Sequence, residues 1–160
     1  MWHPMKPLRR SLLTAVAVGG SLLYGASLAP VWPGFDIRGA ALWLAVSAGL
    51  AWCVFIPALI VTTRLGWAAC VDACLVTMAW GEVVLLSGAV MNVLLWQRGV
   101  TDARVANAIV IAVSNVVMAI VLSRHLAGVP PARVYATWML VLNGAGAVFF
   151  LLLYPLLHRP

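Results

Sequence analysis

Charge is what this sequence has least of. Of its 160 residues only 9% are charged, while 64% are hydrophobic. A soluble domain carries about 25% charged residues, and a small one leaves too much surface in water to hide so many apolar side chains. The mean hydropathy of +1.05 agrees. A soluble fold is excluded, and the chain reads as an integral membrane protein.

Other absences narrow the function. No basic run is interleaved with aromatics, so the net charge of +6 speaks for topology signals and lipid headgroups rather than nucleic acid. The histidines, His3, His125 and His158, fall in termini or connections. Haem b or chlorophyll held at membrane depth needs a ligand there, so no cofactor is expected. Cys70 and Cys74 share a helix face, yet they have no nearby partners to complete a zinc site, which takes about four ligands. Two cysteines one turn apart also rarely reach disulfide geometry, so these and Cys53 read as small buried residues. There is no GxSxG, no HExxH, no phosphate loop and no convergent Ser/His/Asp set. The chain reads as non-enzymatic.

What is there is a series of apolar segments. A helical span takes about 20 such residues, and five segments qualify: residues 11–29, 40–62, 67–96, 105–122 and 134–157. The first resembles a secretion signal, with a basic start and small residues before Pro30. It is longer than the usual apolar run of about 7–15 residues, and the proline follows the would-be cut. It is expected to be a retained span. Between segments stand turn sequences such as "TRLG", "QRGVTDAR" and "SRHLAGVPPAR". Without period-2 alternation the fold expected is all-α, a polytopic helix bundle rather than a barrel. With the N-terminus inside, Lys6, Arg9, Arg10, Arg64, Arg124 and Arg133 lie on the inner side. Arg38, Arg98, Arg104, Arg159, Asp36 and Asp102 then lie outside. That bias favours N-in and C-out. Lys6 is the only lysine, and an Arg-, Ala- and Gly-rich composition hints at a bacterial inner membrane.

Polar residues inside spans are the candidate site. The only glutamate, Glu82, lies at the middle of the third segment, in "TMAWGEVVLLSGAVMN". At about 100° per residue, Cys70, Cys74, Thr77, Gly81, Gly88 and Asn92 share one stripe. It has the small-and-polar character of a close-packing face, with Gly81, Gly88 and Asn92 central to it. Glu82 flanks the stripe, and Asp72 lies roughly opposite. The two acids are too far apart to form a carboxyl dyad, about 15 Å along the axis. Asn107 and Asn115 in the fourth segment, and Asn143 beside Gly144 and Gly146 in the fifth, are its candidate partners. No Lys, Arg or His falls mid-span. Glu82 is therefore expected to rest protonated and hydrogen-bonded, as a structural group or a proton relay. Asp72, nearer the inner end, reads as an interfacial acid within reach of headgroups or Arg64. Pro57 should kink the second span. Gly19, Gly20, Gly25 and Ala26 suggest close packing of the first.

From "AWCVFIPALIVTTRLGW" onward, through "WGEVVLLSGAVMNVLL" and "LSRHLAGVPPARVYATWML", the order of features resembles the YIP family of five-span membrane proteins. The resemblance spans about residues 40–157 and is architectural. "RLG" lacks that family's second glycine, and the third span lacks its expected proline. It implies a cytosolic N-terminus and a short outer C-tail. Three functional readings remain. One is an accessory or scaffold subunit, with membrane lipids and other membrane subunits or its own copies as partners. Another is a small proton-coupled transporter built on Glu82. The third is a protein binding lipid, quinone or carotenoid between helices.

Overall fold

A computed structural model of the chain describes residues 5–35 and 51–126, with residues 38, 41, 45, 49, 129, 130, 132–134 and 136. Helix α1 runs Pro7–Leu28. A π-helical turn, Ala51–Phe55, continues as α2, Ile56–Thr63. Helix α3 is Trp67–Gln97 and α4 is Arg104–His125. Among the described residues α1, α3 and α4 are long and apolar enough to cross a membrane. The chain is thus an integral membrane protein built as a helical bundle.

The element boundaries have local causes. Pro7 is the first residue of α1, where its missing N–H costs nothing, so the helix begins ahead of the apolar run. Arg124 and His125 end α4 in the last turn, where cations complement the helix dipole. Pro57 cannot donate to the i−4 carbonyl, and just before it the helix takes up π bonding. The end of α3 is a Schellman motif. Gly99, at φ 77°, donates to the Trp96 carbonyl (2.9 Å), and Val100 donates to that of Leu95 (3.0 Å). At the end of α2 the left-handed position is held by Arg64 (φ 57°). A non-glycine residue there costs about 1 kcal/mol.

Of the second predicted span, residues 51–62 and some isolated helical positions are described. Most of the fifth, with Asn143, Gly144 and Gly146, lies outside the described residues, as do Asp36, His3 and His158.

Helix α3 sits between α1 and α4. With 31 residues it reaches about 46 Å, longer than a hydrocarbon core of about 30 Å. Bonded pairs between α1 and α3 keep a nearly constant sequence separation: 62 for Arg10–Asp72, 61 for Ser21–Glu82 and 65 for Ser27–Asn92. The two helices are therefore parallel and in register along their length. Between α3 and α4 the separation falls from 33 at Gly81–Ser114 to 15 at Asn92–Asn107, so this pair is antiparallel. Phe55, Ile56 and Leu59 of the π turn and α2 join Cys70, Cys74 and Leu75 of α3 and Leu122 of α4 in an apolar core. This core fills the half of the bundle nearest the α2–α3 turn. At the opposite end the Ala103 amide donates to the Val31 carbonyl (2.7 Å), tying the segment after α1 to the start of α4.

Candidate functional site

Helix α3 buries Asp72, Thr77, Glu82 and Asn92, and α1 answers all but Thr77, which donates to the Ala73 carbonyl of α3 itself (2.7 Å). Nearest the start of α3, Asp72 is 1% exposed. Arg10 Nε donates to its Oδ1 (2.5 Å) and the Met5 amide to its Oδ2 (3.0 Å). The partner of Asp72 is thus Arg10, because α1 packs alongside α3 over this turn. The other described ion pair, Arg104–Asp102, is exposed at the far end. There the Arg104 side chain, and then its amide, hold the Asp102 carboxyl below the usual carboxylate range.

Half-way along α3, Glu82 is 5% exposed. Ser21 donates its hydroxyl to Oε1 (2.5 Å). The other carboxyl oxygen, Oε2, is buried and has no hydrogen-bond partner among the described residues. The close approach depends on Gly20 of α1. A Cβ there would lie 2.5 Å from Glu82 Oε2 and 2.9 Å from Glu82 Cβ. One residue back, Gly81 faces α4, where its carbonyl accepts from Ser114 Oγ (3.1 Å). A Cβ at Gly81 would meet Met118 Sδ at 2.5 Å.

One further stretch along α3, Gly88 lies between Val110 and Tyr24. Beyond it Asn92 and Asn107 exchange hydrogen bonds through their amides (3.0 and 2.9 Å). Tyr24 donates its hydroxyl to Asn107 Oδ1 (2.8 Å), and Asn92 Nδ2 also donates to Ser27 Oγ (3.0 Å). Asn107 completes its set by donating to the Ala103 carbonyl (3.0 Å). Three helices meet in this cluster.

The arrangement separates the sequence candidates. Asn107 is grouped with Asn92, ten residues beyond Glu82 and about 15 Å along the axis. Asn115 is half-buried on α4, and no described hydrogen bond joins it to Glu82. Asn143 lies outside the described residues. The group that bonds Glu82 is instead Ser21. Arg10, Gly20, Ser21, Tyr24 and Ser27, all on α1, were not singled out as site residues in the sequence. The signal was present, since Arg10, Gly20, Tyr24 and Ser27 recur at helical spacing on one side of the first span.

Chemically, the Asn92–Asn107 cluster is closed on itself. Interhelical bonds of this kind contribute about 0.6 to 2 kcal/mol each. Glu82 keeps one carboxyl oxygen open, able to take a proton or a donor. Among the described residues no three His, Cys, Asp or Glu side chains converge to hold a metal ion. The described cysteines are free, Cys70 and Cys74 buried and Cys53 exposed.

No family model matches this chain, and neither does any curated protein or solved structure.

Proposed function

We propose that the chain is a non-enzymatic, five-span protein of a bacterial inner membrane, N-terminus in and C-terminus out. Its role is that of an accessory or scaffold subunit in a larger membrane assembly. The observation that carries this reading is how the buried polar groups are used. Asp72, Asn92, Asn107 and Ser114 all bond across helices, and their bonding builds contacts instead of lining a path. The outward sides of α1 and α4, with Leu8, Leu12, Val105, Ile109 and Val116 exposed, are free to meet lipid or other subunits. The feature order shared with the YIP family is in keeping with the five-span layout. The test is native purification in mild detergent and identification of what copurifies. Stoichiometric membrane partners are expected, and a lone homodimer would count against the subunit role.

A second reading draws on one atom. The unpartnered Oε2 of Glu82 suits a proton-binding group, and so a small proton-coupled transporter. Glu82→Gln distinguishes the two. A scaffold should assemble normally with this neutral near-isostere, whereas a transporter should assemble and lose pH-dependent flux in reconstituted vesicles.

A further inference from the structure

The basic residues gather where the acids do not. Lys6, Arg9 and Arg10 precede or open α1, Arg64 ends α2, Arg124 ends α4, and Arg133 follows it. The parallel course of α1 and α3, with α4 antiparallel, brings these to one end of the bundle. Among the described residues the only carboxyl side chain at that end is Asp72, and Arg10 occupies it. Asp102 pairs with Arg104 at the far end, and Glu82 is bound to Ser21 half-way along. Among the described residues no side-chain carboxylate is left for Arg64 or Arg133.

Those two arginines line one open cleft of about 400 Å³, together with Val61, Thr62 and Ala136. Both are exposed, and neither makes a described ion pair. The cleft's flank is apolar: Val61, one turn back along α2 from Arg64, is 78% exposed. Arg64 also occupies the left-handed position that glycine takes without strain. The fold places a guanidinium where the backbone would prefer no side chain. A cation at such a position, over an apolar flank and at the depth of the half-exposed Trp67, meets the membrane at headgroup level.

We propose that this cleft is a binding site for an anionic phospholipid, its phosphate held between Arg64 and Arg133 and its acyl chain along Val61. Guanidinium forks match phosphate geometry. Two of them on one cleft favour a lipid of net negative charge over a zwitterion, whose ammonium group they repel. The groove on the other side of α3, lined by Arg10, Thr14, Val18 and Trp67, is less suited, because Asp72 already neutralises its arginine.

The test uses the full chain in mild detergent, titrated with phosphatidylglycerol, phosphatidylcholine or inorganic phosphate, with bound species read by native mass spectrometry. Phosphatidylglycerol is expected to be retained in preference to phosphatidylcholine. Arg133→Gln and Arg64→Gly should each weaken its retention about tenfold, as expected for loss of a charged hydrogen bond. Arg64→Gly is informative because glycine suits that backbone, so the protein should unfold at the same or a higher temperature while losing lipid. Lys6→Gln/Arg9→Gln, which removes two charges at the same end, should leave retention unchanged. The proposal is overturned by equal retention of the two lipids, or by equal loss in the Lys6/Arg9 variant, which would mean general charge attraction. Displacement by inorganic phosphate would overturn it too, marking a site for free anions.

Discussion

At the scale of single residues, the two adjacent glycines of α1 have opposite roles. Gly20 lies against the Glu82 carboxyl, whereas nothing stands within 4 Å of a Cβ built on Gly19. Gly20→Ala must push Glu82 or the whole helix aside, at about 1–3 kcal/mol. Gly19→Ala is expected to be neutral, or to stabilise by up to about 1 kcal/mol, through helix propensity alone. Thermal unfolding of the two variants in one detergent decides the matter, and equal melting temperatures would contradict the packing described. A similar contrast holds for the amides. Asn92→Ala breaks bonds to Ser27 and Asn107 and should cost about 1–2 kcal/mol. Asn115→Ala, on a half-buried residue, should cost less.

At the scale of elements, α1 is fastened to α3 by side chains made far apart in the sequence. Removing Arg10 strands a buried acid, so Arg10→Gln should destabilise more than Asp72→Asn, which leaves a neutral side chain there. The double substitution should recover part of that loss. A double-mutant cycle of melting temperatures measures the coupling, and strict additivity would rule out the pairing. Two punctuation marks of the sequence are legible in the fold. "QRG" announces the stop of α3, and Pro57 announces a disturbance in the helix that contains it. The character of that disturbance, a π turn, could not be read, because proline removes a donor without specifying what replaces the bond. Arg64 hid a left-handed residue for a related reason: only glycine or asparagine advertises one. Gly99→Ala, with a positive φ to maintain, should lower stability by about 1 kcal/mol.

At the scale of the whole molecule, the sequence revealed the class and much of the third helix but not the pairing of the acids. Apolar length is a local property, so the helices α1, α3 and α4 stand close to where the runs of the sequence put them. The partners of Asp72 and Glu82 depend on which helix lies alongside, and a single sequence carries no such information. Gly81 faces α4 and Gly88 touches both α1 and α4, whereas Asp72 and Glu82 are bonded by α1 and the residues just before it. The proposed topology gives a further expectation. In a cysteine-free background, Thr101→Cys, between α3 and α4, should react with an impermeant maleimide added to intact cells, and Arg9→Cys should not. The reverse pattern would mean that the chain sits the other way round.

The order of synthesis gives the parallel register a further meaning. Arg10 leaves the ribosome 62 residues ahead of the aspartate that binds it, and Ser21 leads Glu82 by 61. Until α3 arrives, α1 must wait in or beside the bilayer with Arg10 and Ser21 lacking the partners that later bond them. The expectation is that the insertion machinery or a neighbouring protein shelters these side chains in the meantime. A nascent chain halted before α3 emerges should therefore crosslink to such a helper through α1, and one halted after α3 should not.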